Sequence, residues 1–157
     1  MSKFQLKIFF KAAYDLMLVF LQFFIISLHF FQWEIIPQKQ IIQVNPFTYL
    51  IGILIIIIAL IMMLVAIKDL GPNLSPLPRP IAKSNLVTNG IYRFMRHPMY
   101  CSLIFISIGV FILKLSIYYL FLTMNLALII KFKIALEEKY LMNKFKNYLL
   151  YKNEVKV

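Results

Sequence analysis

The sequence predicts an all-α, multi-pass membrane protein with four transmembrane helices, the last two folded as a helical hairpin, and a cytoplasmic C-terminal helix. Three observations carry that expectation. Hydrophobic residues make up 62% of the 157-residue chain and charged residues 15%, against roughly 45–50% apolar in a soluble domain. The apolar residues gather in four stretches, and most lysines and arginines sit between or after them. Residues 1–157 read as one integral-membrane domain without repeats or low-complexity linkers.

The first span is Leu16–Phe31. A cleaved leader is the alternative for an apolar run preceded by lysines, but no small-residue cleavage site follows "LHFFQWEII" and more spans come after it. The second, Phe47–Ile67, runs 21 residues without a charge; about 20 are needed to cross a hydrocarbon core of roughly 30 Å. The third and fourth, Cys101–Leu113 and Leu115–Ile130, are separated by Lys114 alone. As one helix they would reach about 45 Å, so a turn is expected near Lys114, where Gly109, Lys114 and Ser116 are weak helix breakers. Beyond Ile130 the chain reads as a helix leaving the bilayer. Glu138, Leu141, Phe145, Tyr148 and Lys152 fall along one face, with Glu137 beside it.

The net charge of +11 invites a nucleic-acid reading, but the positions of the charges favour membrane topology. Lys3, Lys7 and Lys11 precede the first span, and Lys68, Arg79, Lys83, Arg93 and Arg96 lie between the second and third. Seven lysines follow the fourth. Only Lys39 and Lys114 fall in the other two connections. This is the positive-inside pattern, which puts both termini and the long middle loop in the cytoplasm, predicts no nucleic-acid partner and leaves basic charge to attract anionic lipid.

Several chemistries are excluded. Glycines at 52, 71, 90 and 109 alone allow neither a GxGxxG fingerprint nor a P-loop. The single cysteine, Cys101, excludes an intrachain disulfide and a multi-cysteine metal site, and no metal is expected. His29, inside the first span, reads first as a packing or interfacial residue. A transporter ranks last, because only His29 and Asp15 read as ionisable groups deep in a span.

The connection "KDLGPNLSPLPRPIAKSNLVTNGIYRFMRHPM" is different. It holds five of the seven prolines and two of the four glycines, so it extends or turns rather than continuing as helix. Within it, Pro98 suits the first turn of a helix and restricts His97 to an extended conformation. The third helix should therefore begin near Pro98, presenting free N–H groups and a positive dipole end to an anion. The tail helix would bring carboxylates and aromatic rings to the level of Arg96 and His97.

The segment "LVTNGIYRFMRHPMY", Leu86–Tyr100, resembles the LVTxGPYRxxRHPxY motif of the isoprenylcysteine carboxyl methyltransferase-like proteins, which are related to the phospholipid N-methyltransferases. "EEKYLMNKFKNYLLYKNEV", Glu137–Val155, is similar to that family's second motif, EExxLxxxF followed by YxxY and a valine. "LGPNLSP", Leu70–Pro76, fits its prokaryotic branch and implies a bacterial inner membrane. Together these cover the chain from about residue 70 onward; the first two spans match in hydrophobicity alone.

The resemblance implies an integral-membrane methyltransferase that uses S-adenosylmethionine and a lipophilic acceptor: a prenylated cysteine carboxylate, a phospholipid amine or another small hydrophobic molecule. A catalytically inactive lipid-binding scaffold is the non-enzymatic alternative. Carried over by motif, His97, Pro98 and Tyr100 would line the cofactor site with Glu137 or Glu138, and Tyr148 and Tyr151 are weaker members. On chemical grounds Arg96 or Arg93 would orient an anionic acceptor, and His97 would take the proton of an amine acceptor. The chain departs from the family at Ile91, often proline, and at Ser102, often glycine. It stops at Val157, where relatives continue through an Arg-aromatic-aliphatic-Pro ending, so Arg93, Arg96 or Lys156 would have to replace that arginine.

Overall fold

The computed structural model describes residues 3–30 and 45–155. These form α1 (Lys3–Phe30), α2 (Pro46–Leu70), α3 (Pro98–Lys114), α4 (Ile117–Lys144) and α5 (Tyr148–Glu154). Most of the connection expected between the first two spans lies outside the described residues. By length and composition α1, α2 and α4 can each cross a membrane, whereas α3 is an apolar helix of 17 residues.

Local chemistry sets the helix ends. Asn45 and Thr48 close a reciprocal cap at the start of α2: Thr48 N donates to Asn45 Oδ1 at 2.8 Å and Asn45 N to Thr48 Oγ1 at 3.1 Å, with Pro46 in the first turn. Pro98 opens α3 where the sequence places it. The expected turn near Lys114 falls at Leu115 and Ser116. Leu115 is left-handed at φ 40, and the Ser116 hydroxyl accepts from Tyr118 N at 3.3 Å to start α4.

Outside the bundle are large apolar side chains, among them Phe20, Phe24, Ile58, Leu64, Phe121 and Met124. Small residues lie inside. An added Cβ on Gly52 would stand 2.7 Å from Leu113, and one on Gly109 would stand 2.5 Å from Ile56, so α2 and α3 pack through close backbone approach, as membrane helices do. Tyr119, Leu122, Leu126 and Ile130 of α4 pack with Ile25 of α1. A buried polar chain ties the same helices: His29 Nε2 lies 2.7 Å from Ser107 Oγ, which lies 2.8 Å from Thr123 Oγ1. Its other ring nitrogen meets Ile25 O at 2.9 Å. His29 thus serves as an inter-helix contact.

The loop joining α2 to α3 is fastened to the helices beside it. Arg79 pairs with Asp15 of α1 at 3.0 Å, and Tyr140 of α4 donates to the same carboxylate at 3.0 Å. Lys144 donates to Ser84 Oγ at 2.7 Å. Asn73 accepts from Asn85 N at 3.0 Å.

Two expectations are corrected. His97, ahead of Pro98, stands at φ -130 and ψ 56 rather than extended, as the residue that caps α3. The tail does not leave α4 as a single helix. Phe145 turns extended (φ -116, ψ 113), and the chain restarts helically at Tyr148. A straight helix would carry Tyr148 roughly 15 Å beyond Glu138; the break folds it back, burying Tyr148 and Tyr151.

Candidate functional site

The approach to α3 is built around Asp69. Its Oδ2 accepts from Ile91 N at 2.8 Å, fixing the 3-10 turn Gly90–Arg93. Gly90 is at φ +58, and a Cβ there would come 2.0 Å from the same oxygen, so this turn requires glycine. Ile91 stands where the resembling family often has proline, and here its N–H is used. The turn delivers Arg96 and His97 to the mouth of α3; the His97 carbonyl accepts from Cys101 N at 3.0 Å.

The two adjacent carboxylates of α4 have different surroundings. Glu138 Oε1 receives Arg96 Nε at 3.1 Å and Nη2 at 3.0 Å, and lies 3.4 Å from His97 Nε2; its Oε2 receives Lys152 at 2.6 Å. Arg96 also donates through Nη1 to the carbonyls of Lys152, at 2.9 Å, and Val155. Arg96 and Glu138 therefore knot the RHP segment, α4 and α5 together. Glu137 accepts one hydrogen bond, from the Tyr100 hydroxyl at 2.7 Å, while the His97 and Tyr100 rings stack with centroids 5.8 Å apart.

Two adjoining cavities flank Glu137. The larger, about 350 Å³, is lined by Arg96, His97, Tyr100 and Glu137 together with Phe23, Ile26, Met63 and Leu103 of α1, α2 and α3. A smaller one of about 90 Å³ lies toward the loop and is lined by Asn73, Asn85, Arg96, Glu137 and Tyr148. The Tyr148 hydroxyl is buried and has no hydrogen-bond partner among the described residues. Burial, reinforced by nearby carboxylates, pushes the Tyr92 and Tyr148 phenols well above their ordinary range, and burial raises Tyr151 to about 12. All three are hydroxyl donors at neutral pH. Tyr151 donates to Tyr92 O at 2.6 Å.

Arg96, His97, Pro98, Tyr100, Glu137, Glu138 and Tyr148 are thus gathered at one end of the bundle. Arg93 lies apart, on an outer groove with Lys144 and Lys146. Sequence reasoning missed Gln22 and Lys133, which also line the larger cavity. Lys133, read there as one of the basic charges following the fourth span, is 2% exposed and enclosed between helices. Its spacing of four from Glu137 was the available signal, since i and i+4 share a helix face.

No curated protein matches the chain. The phospholipid methyltransferase family profile matches residues 47–148, which take in all but the first residue of α2, the fastened loop, α3, α4 and the first residue of α5. Over that span the paired carboxylates meet the RHP segment across α4 and α3, and the chain belongs to the phospholipid methyltransferase family of membrane methyltransferases.

Proposed function

We propose that the protein transfers a methyl group from S-adenosylmethionine to a lipophilic acceptor that enters from the bilayer. The observation carrying this reading is the larger cavity, whose lining combines ionic and aromatic groups with apolar residues of α1, α2 and α3. Its volume falls within the roughly 300–1,000 Å³ of small-molecule sites.

The residues present fit the cofactor. Glu137 offers a carboxylate oxygen to an ammonium group, since its recorded bond engages Oε2 alone. The unpartnered Tyr148 hydroxyl and the side chains of Asn73 and Asn85 offer hydrogen bonds to the nucleoside. Free N–H groups at the start of α3 suit a carboxylate. When bound, the cofactor supplies an electrophilic methyl on a cationic sulfur, so the acceptor's lone pair forms the new bond to carbon while the carbon–sulfur pair returns to sulfur. The protein's part is alignment and exclusion of water, and positioning of this kind can lower a barrier by about 7–11 kcal/mol. Tyr100 holds Glu137, Arg96 and Glu138 close the tail over the site, and the apolar wall retains the acceptor. A carboxylate acceptor needs no base; for an amine, His97 at the cavity wall takes the proton.

Titration calorimetry of the purified protein in detergent should give cofactor binding that Glu137→Gln weakens at least tenfold. Absence of binding by folded wild-type protein overturns the proposal. Transfer of labelled methyl into prenylcysteine analogues favours O-methylation, and transfer into phosphatidylethanolamine favours N-methylation; no transfer to either or to a total lipid extract leaves the scaffold reading.

A further inference from the structure

Lys133 carries its ammonium into the interior of the bundle, and among the described residues no ion pair holds it. Its Nζ donates to Gln22 Oε1 at 2.6 Å and to Pro76 O at 3.2 Å, both neutral oxygens. Among the described residues no carboxylate oxygen lies within 4 Å of it. Glu137, one turn further along α4, is engaged by Tyr100 instead. The Tyr100 ring faces the ammonium at 5.3 Å, an attraction worth less than an ion pair. An ammonium has three N–H donors and two are used. Gln22, itself buried, accepts through its oxygen, and among the described residues its amide nitrogen makes no hydrogen bond. Both side chains line the larger cavity beside Phe23, Ile26 and Leu103. What remains on this wall is a pair of donors and a buried positive charge that Glu137 acts on only from beyond ion-pair distance, and a buried charge without a close partner is costly.

We infer that Gln22 and Lys133 form an anion-binding subsite that holds the carboxylate or phosphate of the lipophilic acceptor, with its hydrocarbon against α1 and α3. This rests on the methyltransfer reading for the identity of the occupant, though not for the existence of the subsite. Gln22 comes from α1, which lies outside the family match at residues 47–148. The first helix thereby becomes a determinant of acceptor choice.

The test is equilibrium binding of three labelled probes of equal chain length, a fatty acid, an alkyl phosphate and the fatty alcohol, to the full chain in neutral-lipid nanodiscs. The acid, the phosphate or both should bind at least tenfold more tightly than the alcohol, and which of them does so identifies the anion. Lys133→Met should bring that preference below twofold, Lys133→Arg should retain part of it, and Gln22→Leu should weaken it. If the methionine variant fails to fold, Lys133→Gln supplies a neutral side chain able to bond Gln22. A wild type that does not distinguish acid or phosphate from alcohol overturns the subsite, as does a neutral variant that distinguishes them like wild type. Cofactor binding measured on the same samples separates the two readings: anion preference without cofactor binding sinks the methyltransferase and leaves the subsite standing, and the converse sinks the subsite alone.

Discussion

Glu137 and Glu138 show how neighbouring residues of one type come to do different work. Successive positions on a helix point about 100° apart, so one carboxylate meets Arg96 and Lys152 while the other meets Tyr100 and the cavities. Glu138→Ala would leave Arg96 partly buried without its anion, and breaking such a pair costs about 3–5 kcal/mol; half-exposed Lys152 adds little. Denaturation of the detergent-solubilised variant should show a loss toward the lower end of that range, and an unchanged midpoint would mean that Glu138 does not hold the tail. Glu137→Gln should leave stability near wild type, because a glutamine oxygen can still accept from Tyr100, the one hydrogen bond that Glu137 makes among the described residues. Gly90→Ala should destabilise by about 1–3 kcal/mol, since it combines a left-handed backbone with a clash on Asp69. Thermal unfolding checks it, and Gly71→Ala, at a positive φ with open space around it, is the control that isolates the clash.

Among the elements, those governed by local chemistry were legible in the sequence. Pro98 fixes the start of α3 because a proline ring lacks an N–H and fits the first turn. The hairpin followed from length against bilayer thickness, and the convergence of RHP with the paired carboxylates followed from the helical spacing of the tail and the side of the membrane it shares with the loop. The break at Phe145 was not legible. The apolar periodicity runs on through it, and the chain turns because Arg96, 49 positions earlier in the sequence, gathers two carbonyls of the tail. Lys133 was misread for a related reason: one lysine among seven gives no sign of which is enclosed until α1 and the loop pack over it. The Arg96 clamp yields an element-scale prediction. Lys presents a point charge in place of a planar fork, so Arg96→Lys should free α5 while keeping the charge. Hydrogen exchange at the amides of Tyr151 and Val155, which bond back to Asn147 and Tyr151, should accelerate at least tenfold while α2 stays protected. Unchanged exchange there would mean that α5 is held by its buried tyrosines instead.

For the whole molecule, the question is which side of the bilayer the candidate site faces. The start of α1, the α2–α3 loop, the end of α4 and α5 share one end of the bundle, because Lys11 lies over the Tyr140 ring, Asp15 meets Arg79, and Arg96 meets Glu138. That end carries most of the basic residues, so the positive-inside rule predicts that it faces the cytoplasm, where the proposed soluble methyl donor would reach it. The assignment requires α3 to cross. Its 17 residues span about 26 Å, a few ångströms short of the core, whereas α4 with 28 residues spans about 42 Å and must project beyond it. The projection is where Glu137, Glu138 and Tyr140 meet the loop, so the extra length of α4 is what lifts the carboxylates out to the RHP segment. In a Cys101→Ser background, single cysteines at Lys83 and Asn147 should therefore react with an impermeant maleimide only after the cells are opened. Labelling of either in intact cells reverses the orientation, places the polar cavities outside and removes the soluble cofactor from reach. Labelling of one alone would separate two segments that this fold holds at the same end.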